Sequence, residues 1–527
     1  MRICMLLDHS RVLRWHVWLA DALSERSGCE VFLGSTQTTT TPPPRTFEFV
    51  RAIERLIYGL DQESAMDPAD GKSLARLRLA DTNTQIQFDM ILDLVGHEQQ
   101  HATYQRILTP LFNSVPGEAG ALLATLDGGP LRIEVSDSAE WLEPLAAQPA
   151  MLDRRVLTKA LDHVLSCTIE LILKAIDATT RAAPVQNPVR GRPTRPSAPS
   201  GVQSLAFVTR TLAVKAQRFL GMLLHGGDSW AVAWRLNNRS PLLDERNGRF
   251  RILPDDRRRY YADPFPYCRN GERFIFVEEF EFASQRGCIS VASVGGDGTL
   301  STPRPVIEER HHLSFPFIFE SGGQIWMIPE SGAADRIDLY RAEQFPYRWK
   351  YEGALLSGIA GYDATLLRQN GRLWMFATVG RWKASTCDNL CIFYADQLTG
   401  PWHAHETNPV LLDAALCRAA GNFFQHNGNT FRLAQDCTHI YGGGISVCRL
   451  DELSCDAFSQ TVVGRIDSNL PGCHTYNRHA ELEVLDVFGP VHEVTHVTAF
   501  YRSRPTSMRR AAVSANALPS EIAARPN

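Results

Sequence analysis

One phrase, repeated four times between Tyr260 and Gln435, constrains this chain more than any other feature. The copies read ADPFPYCRNGERFIFVEE at 262–279, SFPFIFESGGQIWMIPES at 314–331, YDATLLRQNGRLWMFATV at 362–379 and GNFFQHNGNTFRLAQD at 421–436. Their turn glycines, Gly271, Gly323, Gly371 and Gly428, stand 52, 48 and 57 residues apart. Each copy sets a short apolar strand against an aromatic-rich one across a polar glycine turn, which is a hairpin pattern. Two further strand-like segments follow most copies, for instance GCISVASV and the run to Val306 after the first. A four-stranded unit recurring at about 50 residues is the sequence signature of a β-propeller blade.

The rest of the chain arranges itself around these copies. SWAVAWRL and RFRILP precede the first, and CHTYNRHAELEVLDVF after the last supplies only part of a blade. The economical arrangement is five-bladed, the last blade combining strands from both ends so that the ring has no open edge. Ahead of it, RICMLL, CEVFLGS and FDMILDLV read as strands, and ALLATLDG and PLRIEVSD as two more. Helical spacing appears at Trp15–Ser24 and at 47–60. Such alternation predicts a small α/β layer with a parallel sheet, Rossmann-like but without the glycine fingerprint of a dinucleotide site, since DHSRVLRW follows its first strand. The boundaries are therefore an α/β domain over 1–150, a long helix over 151–180 and a Pro/Arg-rich linker over 181–202. An amphipathic helix over 203–228, the five-bladed propeller over 229–500 and a flexible tail over 501–527 complete the chain.

At 527 residues more than one core is required. A net charge of −4 provides no basic surplus, so nucleic acid is not an expected partner. Twelve scattered cysteines, most inside apolar segments such as those around Cys167, Cys288 and Cys391, predict reduced thiols and a cytoplasmic protein. The N-terminus lacks a signal-like apolar core, and no run reaches the roughly 18 apolar residues of a membrane span. The segment 206–224 is interrupted by Arg210, Lys215 and Arg218 and reads as an amphipathic helix, for which contact with a membrane surface stays open.

Equivalent positions of propeller blades converge on the central channel. The first position of the phrase carries Asp263, Phe315, Asp363 and Ala420, and the end of the second strand carries Glu278, Glu330, Thr378 and Gln435. Glu279 and Asp436 come one step later. Carboxylates around one axis suit glycosidic chemistry, one as base or charge stabiliser and one as proton donor. The plainer reading is that they cap hairpins or hold channel water. Trp326, Trp374 and Phe276 recur mid-strand and read as blade core, whereas Trp382 and Trp402 stand nearer loops and are better placed to meet a ligand.

The phrases YADPFPY, SFPFIFESGGQIWMIPES, GYDATLLRQNGRLWMFAT and FRLAQDCTHIYGGG resemble the propeller domain of the glucosamine inositolphosphorylceramide transferase family, over roughly residues 229–490. That domain in turn is similar to the five-bladed propellers of glycoside hydrolase family 43. The resemblance implies a catalytic base at Asp263 and an aspartate that tunes the acid at Asp363. It also exposes a departure, because CRAAGN places Arg418 where the hydrolases start their fourth blade with a glutamate. An arginine binds phosphate or carboxylate but cannot serve as the acid. Transfer from an activated, phosphate-bearing sugar, such as a nucleotide-sugar donor, therefore fits better than hydrolysis, with Glu330 available as a substitute acid. Arg418 reads equally as a salt-bridge partner. Glu278, Glu279, Arg418, Gln435, Asp436, His474 and Tyr476 are the candidate sugar contacts, each set against a packed structural role.

Two features of the N-terminal half point elsewhere. His97-Glu98-Gln99-Gln100-His101 matches HExxH, in which His97 and His101 would bind zinc from one helix face. The preceding FDMILDLVG ends in a glycine, and no third ligand stands out beyond Glu118 and Glu134, so no metal is assigned. The same half resembles the N-terminal domain of formyltransferases, but their Asn and His-x-Ser-Leu-Leu-Pro signature does not follow ILDLVG. That resemblance implies a scaffold or binding domain. The expectation is thus a carbohydrate-active enzyme moving a sugar, with a family 43-like hydrolase, a non-catalytic glycan-binding propeller and a zinc hydrolase as alternatives.

Overall fold

The structure is a computed structural model that describes residues 1–35, 43–60, 63–80, 87–96, 106–138, 145–150, 156–181, 200–225, 227–238, 242, 247–503 and 510–514. The HExxH motif at 97–101 lies outside these residues. The N-terminal part is a mixed sheet. Strands Arg78–Leu79, Glu30–Ser35, Arg2–Leu7, Met90–Asp93 and Ile107–Phe112 lie parallel in that order, and Ile133–Asp137 and Leu145–Ala147 continue it antiparallel. The sheet is packed with helices α1 (Arg14–Ser24), α2 (Arg45–Tyr58) and α3 (Gly117–Asp127). ALLATLDG, expected as a strand, belongs to α3. A short, mostly apolar run fits a buried helix as well as a strand, and its Ala and Leu content favours the helix.

Two long helices follow, α4 (Leu157–Arg181) and α5 (Gly201–His225). α4 is buried along most of its length, with Leu161, Val164, Leu165, Ile169, Ile172 and Ile176 in one core with the sheet. Its orphan N-terminal amides are satisfied from α2, where the Glu54 carboxylate accepts from Leu157 N at 2.6 Å and Thr158 N at 2.9 Å. No helix among the described residues is long and apolar enough to cross a membrane.

From Ser229 onward the chain forms antiparallel four-stranded units. Unit one is Arg259–Arg269, Glu272–Glu281, Arg286–Val294 and Arg304–Ile307. Unit two is Ser314–Ser321, Gln324–Glu330, Arg336–Gln344 and Arg348–Ser357, and unit three is Ala360–Gln369, Arg372–Gly380, Leu390–Ala395 and His403–Ala404. Unit four is Phe424–His426, Asn429–Gln435, Ile445–Leu453 and Ala457–Ser468. The fifth draws on both ends of the region, pairing Tyr476–His479 and Leu482–Gly489 with Ser229–Leu236 and Asn247–Ile252. Strand His496–Ser503 then bridges Asn247–Ile252 to Ala457–Ser468, merging units four and five into one ten-stranded sheet. Within the segment expected as a flexible tail, residues Arg510–Ser514 pair as a strand with Ala457–Thr461.

The first strands of neighbouring units touch one another. Asp263 meets the backbone of Phe315 and the side chain of Thr475, Asp363 meets Arg418, and Tyr476 N donates to Ala420 O at 2.9 Å. The seam between units four and five needs Gly421, whose φ is +132° and where a Cβ would lie 2.2 Å from Tyr476 O. All twelve cysteines are free. The N-terminal part docks on units three and four. Gln148 N donates to Leu412 O at 3.0 Å, Ala150 N to Asp388 Oδ2 at 2.8 Å, and Lys174 Nζ to Pro409 O at 2.6 Å. Trp382, expected near a ligand, packs against the N-terminal core in this contact, and Trp402 packs on the core of units one to three.

Candidate active site

The first position of the repeated phrase is a bulge. In units one to three the register shifts between Ala262 and Phe265, Ser314 and Phe317, and Tyr362 and Thr365. The residue inside each shift, Asp263, Phe315 or Asp363, has a left-handed backbone with φ of +48°, +42° and +51°. A bulge of this kind bends the strand and re-aims its side chain. Opposite it in register stand the second-strand residues: Glu278 faces Ala262, Glu330 faces Ser314, and Thr378 faces Tyr362. Gln435 N donates to Arg418 O in unit four, and Asp486 N to Thr475 O in unit five.

These residues form two linked groups. In the first, Asp263 Oδ1 accepts from Thr475 Oγ1 at 2.7 Å and Oδ2 accepts from Phe315 N at 3.2 Å. Its own N–H donates to Asp486 Oδ2 at 3.0 Å, and His474 lies 3.6 Å from Asp263 and 2.5 Å from Asp486. Burial, together with Asp363 and Asp486, pushes Asp263 up to about 6 against the pull of His474. Burial works against a charge on His474, but Asp486 and Asp263 outweigh it and raise its pKa. Asp263, His474 and Asp486 also form a trio whose possible ligand atoms lie within 4.8 Å. Both oxygens of Asp486 already accept backbone N–H groups, from His474, Thr475 and Asp263, so the trio is organised by hydrogen bonds.

In the second group Arg418 holds Asp363 bidentately, Nε to Oδ2 at 2.6 Å and Nη2 to Oδ1 at 3.2 Å. Gln435 Nε2 donates to the same carboxylate at 3.1 Å. Arg418 Nη1 also donates to Thr386 Oγ1 at 2.9 Å, and its guanidinium lies 5.1 Å from the Tyr441 ring centroid and 5.7 Å from that of Tyr362. The salt-bridge reading of Arg418 is the one this geometry favours. Glu330, the neighbour of this pair, accepts from Ser314 Oγ at 3.1 Å and Gly332 N at 2.6 Å. Burial and then Asp363 push it up to about 7. Glu278 is raised well above the carboxylate range by burial and by Asp263, Glu330 and Asp363. It faces His312 Nε2 at 3.4 Å, and Nδ1 of that ring accepts from Gly287 N.

Three expected contacts fall outside these two groups, Glu279 because strand neighbours alternate faces. Glu279 turns away to Ser290 Oγ at 2.6 Å and to Arg259. Asp436 pairs with Arg465 and Thr438 N. Tyr476 packs in the apolar core of units four and five beside Phe250 and Leu242. Conversely, Asp486, Thr475 and His312 belong to the site and were not foreseen. Asp486 stands four residues past the turn pair His479–Leu482, whereas Glu278 stands six past Arg269–Glu272, so the shorter fifth hairpin hid the correspondence. A buried thiol pair adjoins the site as well: Cys437 and Arg418 pull Cys387 down to about 6 although burial opposes this.

Trp230 stacks on His474 at 4.0 Å between centroids, with Tyr441 edge-on to both, so half-buried aromatic rings border the polar cluster. The docked N-terminal part reaches the same rim, since Ala150 binds Asp388, the neighbour of Cys387, and Gln148 Nε2 donates to Thr438 Oγ1 at 3.3 Å.

Among solved structures, the chain is similar to a family 117 glycoside hydrolase of Zobellia galactanivorans, with 11% identity, a TM-score of 0.31, and coverage of 52% of this chain and 90% of that one. Curated relatives are the glucosamine inositolphosphorylceramide transferase 1 of Arabidopsis thaliana, 30% identical over 223 residues, and that of Oryza sativa subsp. japonica, 31% over 208. The matches cover 41% and 39% of this chain but span only 29% and 28% of those proteins. Residues 255–487, from unit one into unit five, match the family model described as glucosamine inositolphosphorylceramide transferase 1, N-terminal, and this region carries the family likeness.

Proposed function

We propose that the five units close into a five-bladed β-propeller whose axial carboxyls transfer a sugar from an activated, phosphate-bearing donor to a hydroxyl acceptor. The observation that carries this reading is the convergence of Asp263, Glu278 and Glu330, three buried carboxyls with raised pKa values, beside the locked Asp363–Arg418 pair. Glu330, poised at about 7, accepts the proton of the attacking hydroxyl. The acceptor oxygen forms its bond to the anomeric carbon as the carbon–oxygen bond to the phosphate breaks, and the phosphate leaves with the electron pair. Asp263 in its ionised form stabilises positive charge at that carbon. The name of the plant relatives makes an inositol phospholipid headgroup the first acceptor class to test. The parallel order of the N-terminal sheet supports a Rossmann-like scaffold, in keeping with its resemblance to formyltransferase domains. The free cysteines support a cytoplasmic location.

A second reading, a non-catalytic glycan-binding propeller, is favoured by the engagement of Asp363 and Asp486 with Arg418, Gln435 and backbone amides. One experiment separates the two. Nucleotide sugars are screened for thermal stabilisation, and the donor that raises Tm is assayed for transfer with wild type and Glu330→Gln. The transfer reading expects kcat to fall about 10²–10⁴-fold in the variant with the Tm shift retained. Full turnover by Glu330→Gln removes Glu330 from the mechanism. Stabilisation of the wild type without product favours the binding module.

A further inference from the structure

Soluble proteins scatter their exposed apolar side chains, but this one gathers them. Of thirteen large apolar residues exposed among the described residues, eight lie on the neighbouring helices α2 and α5. On α2, Phe49, Ile53 and Leu56 fall on one helical stripe and are 66%, 39% and 86% exposed, with Ile57 beside them at 63%. α5 buries Ser204 and Phe207 and turns Val202, Leu205 and Leu212 outward at 75%, 64% and 60%. The two helices run side by side: Thr46 borders Gly201, and Lys215 Nζ lies 4.3 Å from the centroid of the Tyr58 ring.

Charge identifies what this surface meets. From Ala178 to Gly227 the sequence holds seven Lys or Arg residues and no Asp or Glu, in a chain whose net charge is −4. Exposed Arg210 and Lys215 stand next to the apolar stripe of α5. Apolar side chains flanked by a cationic stretch free of acids suit an interface that is greasy inside and negative at its face. A second copy of the chain would bring two such cationic stretches together, which charge opposes.

We infer that α2 and α5 form a docking surface for an anionic lipid bilayer, with Phe49, Ile53, Leu56, Leu205 and Leu212 entering the headgroup boundary. The inference is independent of the transfer reading, because binding is measured with no donor or acceptor present. The test is co-sedimentation of the full-length protein with phosphatidylcholine vesicles made with and without phosphatidylglycerol. The wild type should pellet with the anionic vesicles only and be released as NaCl rises. Leu56→Glu/Leu212→Glu should lower the bound fraction at least about tenfold, and Arg210→Glu/Lys215→Glu by a similar amount, since each cation near such a surface contributes roughly fivefold. Leu56 and Leu212 are exposed, so that variant should keep the wild-type Tm. Arg210 Nη1 donates to Asp127 O at 3.2 Å and Lys215 lies over Tyr58, so the charge variant should lose only a small part of it. A wild type that stays in the supernatant with anionic vesicles overturns the inference. So does undiminished binding by both variants, or a Leu56-dependent dimer in sedimentation velocity without vesicle binding.

Discussion

Glu330 shows how one buried residue links the site to the stability of the fold. Its carboxyl sits 6% exposed between Ser314 and Gly332, with Asp363 close enough to oppose its ionisation. The folded-state pKa of about 7 lies above the ordinary 4.5, so the folded protein holds this proton more tightly than the unfolded chain does. Stability is therefore fully present below about pH 4.5 and declines as pH rises toward 7. Asp263, raised from 3.8 to about 6, acts in the same direction over a lower window. Glu330→Gln removes one of these proton-linked losses, so its urea midpoint should fall less than that of the wild type between pH 5 and 7. The difference should be on the order of 1–3 kcal/mol. Parallel pH profiles for the two proteins would show that Glu330 is not held protonated by the fold.

In units one to three the bulge decides which side chain reaches the buried polar cluster, and adjacent positions diverge at once. Glu278 joins the buried carboxyl cluster, whereas Glu279 is bound to Ser290 and Arg259. Two neighbouring acids look alike in a sequence, but strand alternation sends them to opposite faces. Arg418 was equally ambiguous as an isolated letter, and only the bidentate contact with Asp363 across two units assigns its partner. Both groups are buried, so removing one strands the charge of the other. Arg418→Met should destabilise the protein by about 3–5 kcal/mol, while adding Asp363→Asn should restore at least half of that loss. Chemical denaturation of the two variants measures this directly. Losses that simply add would mean the pair is not energetically coupled.

At the scale of the molecule, the repeat made most of the architecture legible. Hairpins, turn glycines and the shared last unit were all readable from apolar strands spaced about 50 residues apart. The fifth unit was only half readable, because Ser229–Leu236 and Leu482–Gly489 pair across nearly the whole region, and Asp486 was overlooked for that reason. The place of Trp382 was hidden too, since its packing depends on how the N-terminal part docks. The joint between chain ends now makes the strongest statement about the whole. Strands Ser229–Leu236 and Asn247–Ile252 carry both Leu482–Gly489 on one side and His496–Ser503 on the other. Deleting 229–252 would leave two unpaired edges in the middle of the ten-stranded sheet, remove Ala233 and Phe250 from the core and uncover their neighbours Leu485, Val487 and Ala499, each 0% exposed. Among the described residues, ending the chain at residue 509 removes only the outlying strand Arg510–Ser514. The deletion should abolish the cooperative urea transition and the near-ultraviolet circular dichroism of the aromatic units, whereas the shortened chain should keep both. A deletion variant that unfolded as sharply as the wild type would mean that the units stand independently and that the shared fifth unit does not hold them together.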